Sequence, residues 1–240
     1  MQVTIVQNFI DIIRGKKDLF LPELFRCKML KYHVISLGQF CFPRVFCTLA
    51  KIKPAKKYGE LSCPFDLSFH YDIKQICKLI ESNFADYFNG LYYLPEENIY
   101  KNDRIQACYN HDGNLTREEF IKKYKKRIKN FNYYLNSSKY IYFVLSVFNC
   151  QVEDILELER ILKEKRSQET FHLIILNHGN NILNINSKNI SCINNLDISK
   201  INKDELWIDR LRHHKKHKAA DLLYNRTLSE MKQIMVKHLH

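Results

Sequence analysis

The chain has 240 residues, 45% of them hydrophobic, which is enough to bury one good core and sets the expectation of a single domain with an N-terminal addition. Lysine and arginine exceed aspartate and glutamate by 38 to 26, a formal charge of +12, which raises the question of acidic partners. No helix-turn-helix, zinc-finger, RNP or KH signature accompanies that charge, so sequence-specific nucleic-acid recognition is not expected.

Residues 1–31 begin with helical spacing (Ile5, Phe9, Ile12, Ile13) and then become irregular; they are expected to form a helical extension. Residues 32–240 would form one α/β domain with the features of a catalytic unit. An apolar strand over Val34–Leu37 ends at Gly38, and Cys41 follows just before a helix that Pro43 opens and Val45 and Leu49 continue. Strand, glycine turn, cysteine and helix N-terminus in that order are one route to a reactive thiol. The helix end favours thiolate over thiol, and Arg44 one turn in would add to it. A thiol packed as a small hydrophobe is the structural alternative.

A loop rich in Lys, Pro and Gly, residues 51–62, leads to Cys63-Pro64-Phe65-Asp66. Asp72 caps a helix whose Ile73, Ile76, Cys77 and Ile80 share a face. Residues 84–115 are aromatic-rich and expected to be irregular, with strand candidates around Tyr92 and Ile105. Thr116-Arg-Glu-Glu119 is a capping box, and Phe120, Tyr124, Ile128, Phe131 and Leu135 mark the buried face of the helix it opens. The lysines around that face have a solvated surface as their simplest explanation. Tyr140–Phe148 and Phe171–Leu176 are near-continuous apolar runs separated by an amphipathic helix, Val152–Lys165; a short strand, 189–193, and a closing helix, 219–237, complete the order.

Two buried strands joined by one helix form a βαβ unit, here at 140–176, which requires a parallel pair with both faces covered. The expected fold class is therefore α/β: a three-layer sandwich around a mostly parallel sheet. If the strand before Cys41 joins that sheet, Cys41 lies at its carboxyl edge, where sites of open α/β sheets gather at the point of strand reversal. His178 ends the 171–176 strand before Gly179, which puts it at the same edge as a candidate base.

Eight cysteines are scattered without a CxxC pair, so no zinc-ribbon spacing exists. His213, His214 and His217 have helical spacing but no carboxylate companion, and neither metal nor other cofactor is expected. There is no signal-peptide pattern and no apolar run near the roughly 20 residues of a membrane span, so a cytoplasmic location with reduced thiols is the expectation.

Ser36-Leu-Gly38-Gln-Phe-Cys41, then Cys63-Pro-Phe-Asp66, Asn110-His111-Asp112 and Tyr124-Lys-Lys-Arg127-Ile-Lys-Asn-Phe131, in that order, resemble a bacterial papain-like cysteine peptidase family of largely unassigned function. The likeness extends over roughly residues 32–235, including Trp207. The resemblance implies a cysteine hydrolase or acyltransferase, with Cys41 as nucleophile and His111 and Asp66 as its polar partners. The papain-like order of cysteine, histidine, then Asn or Asp also admits Asp112 as third member. It implies a papain-like α+β fold as the alternative architecture.

Each residue has a structural reading beside the functional one. Asp66 could be an Asx-turn or N-cap residue, His111 an exposed loop histidine, and Arg44 either a holder of Asp66 or a binder of an anionic substrate. The substrate would be a small molecule, a glycan or a peptide. The rival function is a non-catalytic α/β domain that binds a sugar, phosphate or other anion.

Overall fold

A computed structural model describes residues 32–53, 56, 59–166, 170–196 and 218–237. The extension expected over 1–31, Trp207 and the histidines at 213, 214 and 217 lie outside them.

Strand β1 (Tyr32–Gly38) leads into helix α1 (Phe42–Leu49). A two-residue strand β2 (Phe69–His70), helix α2 (Ile73–Glu81) and strands β3 (Leu91–Leu94), β4 (Ile99–Asn102) and β5 (Ala107–Tyr109) follow. Helix α3 (Arg117–Leu135), strand β6 (Tyr140–Val147), helix α4 (Val152–Lys165), strands β7 (Phe171–Asn177) and β8 (Ile190–Ile193) and helix α5 (Lys218–Lys237) complete the order.

The strands form two sheets. The first, in the order β1-β6-β7-β8, is wholly parallel, with Ser36 opposite Val144 and Val144 opposite Ile174. The expected βαβ unit is its centre. Its strands are buried on both faces because helices cover both, as their unbroken apolar runs require. Ile141, Phe143, Leu145 and Val147 face α2, α3 and α4; Tyr142 and Val144 face α1 and α5. The protein is therefore α/β, with three layers at this sheet. The strand before Cys41 is parallel to its neighbour, unlike the antiparallel arrangement of the papain-like α+β alternative. The strand order runs one way from β1 to β8, so Cys41 lies at the end of an edge strand and not at a reversal point.

The second sheet, β2-β5-β4-β3, is antiparallel, and β3, β4 and β5 lie in the 84–115 stretch expected to be irregular. Tyr92 lies in β3 as expected, whereas Ile105 is in the turn between β4 and β5, buried into the main core. Gln39 ties the two sheets together. Its Nε2 donates to the Tyr71 carbonyl at 3.1 Å, its Oε1 accepts from the Phe148 amide at 3.0 Å, and its own carbonyl accepts from the His70 amide at 3.2 Å.

Both foreseen caps are present. Asp72 accepts from the Lys74 amide at 2.9 Å, and Thr116 exchanges bonds reciprocally with Glu119 at the start of α3. The far end of α3 is closed by the Arg166 guanidinium, which donates to the carbonyls of Tyr134, Leu135, Ser137 and Lys139 and so satisfies groups the helix leaves open. Thr116→Ala is expected to lower the unfolding free energy by about 1 kcal/mol in urea titration, the usual worth of an N-cap. An unchanged urea midpoint would show that α3 is held by its packed face alone. No helix among the described residues is long and apolar enough to cross a membrane.

Candidate functional site

Cys41 is the N-cap residue of α1, three positions beyond the end of β1, and is partly exposed. Its carbonyl accepts from the Val45 amide at 3.0 Å, which closes the first helical turn. Pro43 removes a donor from that turn, which leaves Phe42 and Arg44 as its amide-bearing first residues.

The remaining described cysteines have a common environment. Burial pushes the thiols of Cys47 and Cys77 up to about 12 and those of Cys150 and Cys192 up to about 11. Burial also raises Cys63 and Cys108, and Asp66 adds to the rise at Cys63. These six are held as neutral thiols.

His178 follows the last residue of β7, and its amide continues the ladder to the Val147 carbonyl at 2.8 Å. Its imidazole lies among three phenylalanine rings, 5.5 Å from Phe40, 5.3 Å from Phe42 and 5.5 Å from Phe148 between centroids. Phe40 and Phe42 are the two chain neighbours of Cys41. The Leu196 carbonyl lies 2.6 Å from Nδ1 and can only accept, so Nδ1 carries a proton and, in the neutral ring, Nε2 holds the lone pair. The Ser146 hydroxyl is 3.2 Å from Nε2, and donates to it when the ring is neutral. The carbonyl that fixes this tautomer is itself fixed: the Leu196 amide donates to the Asn177 carbonyl at 2.9 Å. Gly179 is required next to it, since a Cβ there would stand 2.0 Å from the Phe148 carbonyl oxygen.

Asp66 lies deep in the molecule, 1% exposed, in a cluster of four charges. It accepts from the Ser36 hydroxyl and from the Cys63 amide at 2.9 Å. Lys53 Nζ is 3.6 Å from one carboxylate oxygen and Arg44 Nε 3.8 Å from the other. Glu60 completes the cluster, 2.7 Å from Lys53 Nζ and 2.8 Å from Arg44 Nη2. Burial alone would raise the Asp66 carboxyl; Lys53 and Arg44, with the bonds from Ser36 and Cys63, outweigh burial and hold it below its ordinary value. The structure thus joins Arg44 to Asp66 and commits both to a buried ionic network.

His111 is exposed in the turn after β5, on the antiparallel sheet. Asp112 turns inward, where Lys123 and the Tyr124 hydroxyl, the latter at 2.7 Å, bind its carboxylate and tether this turn to α3. Asp112 is therefore an anchor between β5 and α3. No group of three or more His, Cys, Asp or Glu residues able to hold a metal ion occurs among the described residues.

The fold and this edge define a three-layer α/β domain with a cysteine at a strand-to-helix turn. The profile of a family described as "Putative papain-like cysteine peptidase" matches residues 32–181, and the chain belongs to that family. No curated protein and no solved structure gives a significant match. The matched span contains Cys41, Asp66, His111, Asp112 and His178 and stops before β8 and α5.

Three contributors to this region escaped the sequence. Gln39 was visible only as part of a motif string, and Lys53 and Glu60 lay in a stretch read as a loop, with no periodicity to announce burial.

Proposed function

We propose that this protein is a cysteine-dependent hydrolase or acyltransferase working from Cys41 on an amide, ester or thioester, with His178 as the imidazole partner. The observation that favours His178 over His111 is the packing of its ring against Phe40 and Phe42, on either side of Cys41.

The Cys41 thiol would give its proton to His178 Nε2, with the Ser146 hydroxyl rotating away. The Leu196 carbonyl, accepting from Nδ1–H, stabilises the imidazolium so formed. The sulfur then bonds to the acyl carbon, and the carbonyl oxygen takes up negative charge near the first amides of α1. Collapse expels the leaving group, which receives the proton from the imidazolium. Water or an acceptor nucleophile, deprotonated by the same nitrogen, cleaves the thioester and restores the thiol. In this scheme Asp66 and Arg44 hold the base of α1 rather than touch substrate.

The test is the pH dependence of iodoacetamide labelling, followed by peptide mass spectrometry with the other cysteines as internal controls. Cys41 should label fastest, with an apparent pKa below about 8.5 that rises on His178→Ala and stays put on His111→Ala. Labelling of Cys41 no faster than that of Cys192 would remove the nucleophile from the proposal. A response to His111→Ala alone would transfer the role of base to His111.

A further inference from the structure

A second site is carried by α3 and the loop that faces it. Lys123, Lys126, Arg127 and Asn130 recur at helical spacing and line a cavity of about 340 Å³ with Lys56, Glu60, Leu61 and Ser62. Asn130 fixes the opposite wall by donating to the Ser62 carbonyl at 2.9 Å.

Arg127 is the unusual member. Its side chain is 4% exposed, its guanidinium carbon sits 4.7 Å from the centre of the Tyr124 ring, and its buried Nη1 has no hydrogen-bond partner among the described residues. A guanidinium taken out of water normally finds a carboxylate or carbonyls, as Arg166 does in this same protein. Among the described residues, no ion pair engages Arg127, Lys126 or Lys56. The one carboxylate on the wall, Glu60, is already shared by Arg44 and Lys53. Lys56 responds to this excess: partial burial and then the charges of Arg127, Lys123 and Arg44 lower its pKa.

We propose that this cavity binds the phosphate group of a small phosphomonoester. A dianion with several acceptor oxygens matches converging lysines and a guanidinium better than a monocarboxylate does. The volume is near the lower end for ligand pockets, roughly 300 Å³, which leaves room for a phosphate and a small organic portion. The inference stands apart from the chemistry at Cys41, which lines no part of this cavity.

Isothermal titration of the full chain with methyl phosphate and with inorganic phosphate, at constant ionic strength in chloride, tests it, with acetate as the comparison anion. Saturable one-to-one binding of methyl phosphate is expected, with acetate at least about tenfold weaker. Arg127→Gln should weaken methyl phosphate about tenfold or more. Lys126→Gln, on the rim and harmless to folding, should weaken it about threefold. Lys125→Gln, exposed on the same helix but outside the cavity, should leave it unchanged. If Arg127→Gln does not fold, the contrast between Lys126→Gln and Lys125→Gln decides alone.

Inorganic phosphate binding as tightly as methyl phosphate would keep the anion site and assign it to the free ion. No saturable binding, or equal losses at Lys125 and Lys126, would overturn the site. Binding of a single-stranded RNA 20-mer that falls steeply with salt and depends equally on Lys122, Lys125 and Lys126 would replace it with a diffuse polyanion surface.

Discussion

Asp66→Ala should lower the unfolding free energy by about 3–5 kcal/mol, the range found when one partner of a buried ionic cluster is removed. The carboxylate balances Lys53 and Arg44, both buried, and Glu60 is the other anion they share. Without Asp66, two buried cations must share a single counter-charge, and the Ser36 hydroxyl and Cys63 amide lose their acceptor. Asp66→Asn would keep the shape but not the charge, so most of the loss should persist. The pH dependence has a definite sign. The folded-state pKa lies below the ordinary 3.8 of this carboxyl. The contribution is therefore complete above that value and disappears as pH falls through the depressed one. Urea midpoints of wild type and Asp66→Ala at pH 7 give the size. A difference under about 1 kcal/mol would mean that Lys53 and Arg44 are neutralised elsewhere. The same variant separates two roles: if Asp66→Asn folds well yet abolishes selective Cys41 labelling, Asp66 acts on the thiol and not merely on the fold.

The parts of the fold legible in the sequence were those whose signals are local. Thr116 and Asp72 were recognisable as caps because cap chemistry spans three residues. The strands Tyr140–Val147 and Phe171–Asn177 were recognisable because burial on both faces leaves no polar alternation to confuse them with amphipathic segments. From these the parallel pair of the βαβ unit followed, whereas the place of the strand before Cys41 beside it is settled by the register of β1 on β6. The antiparallel sheet did not, since its strands are two to four residues long and β3 exposes both Tyr92 and Tyr93. A strand that short carries too few alternations to register as a pattern.

The candidate site divides along the same line. Cys41 and His178 were identifiable at the carboxyl ends of their strands. Their neighbourhood depends on register: Gly38 pairs with Ser146 and Ser146 with Leu176, which brings the residues just beyond β1 and β7 to one edge. The ionic cluster had no such signature. Arg44, Lys53, Glu60 and Asp66 come from a helix and two irregular stretches, and charged side chains in a loop are ordinarily taken as solvated. Asp66 is neither the Asx-turn nor the N-cap of its structural reading: its carboxylate accepts from the Cys63 amide, three residues before it rather than after it.

Acid should begin to destabilise this protein near pH 6.5, before its carboxylates titrate, and His70 is a principal reason. The imidazole is fully buried, 5.2 Å from the Phe65 ring, with Nε2 3.1 Å from a Ser68 hydroxyl that already donates to the Pro64 carbonyl. Burial lowers its pKa from 6.5 to about 3, and the nearby Ile105 main chain offsets only part of that. The unfolded chain therefore holds a proton between about 6.5 and 3 that the folded chain refuses. Stability must fall as pH drops through that window, by up to about 1.4 kcal/mol per pH unit. His33, lowered to about 4 by burial and by the charges of Lys139, Lys53 and Arg166, adds to the same slope, with less weight because it is less deeply buried. His70→Phe, which cannot take up a proton, should flatten the decline in urea midpoint between pH 6.5 and 4.5 by about 1 kcal/mol per unit. An identical slope in that variant would assign the acid sensitivity to other groups. The consequence reaches the proposed nucleophile, because the His70 amide donates to the carbonyl of Gln39, two residues before Cys41. Protonating His70 would loosen the turn that presents Cys41, so labelling of the wild type below about pH 5.5 would report opening of that turn. Only a loss of selectivity that persists in His70→Phe would then belong to the thiol itself.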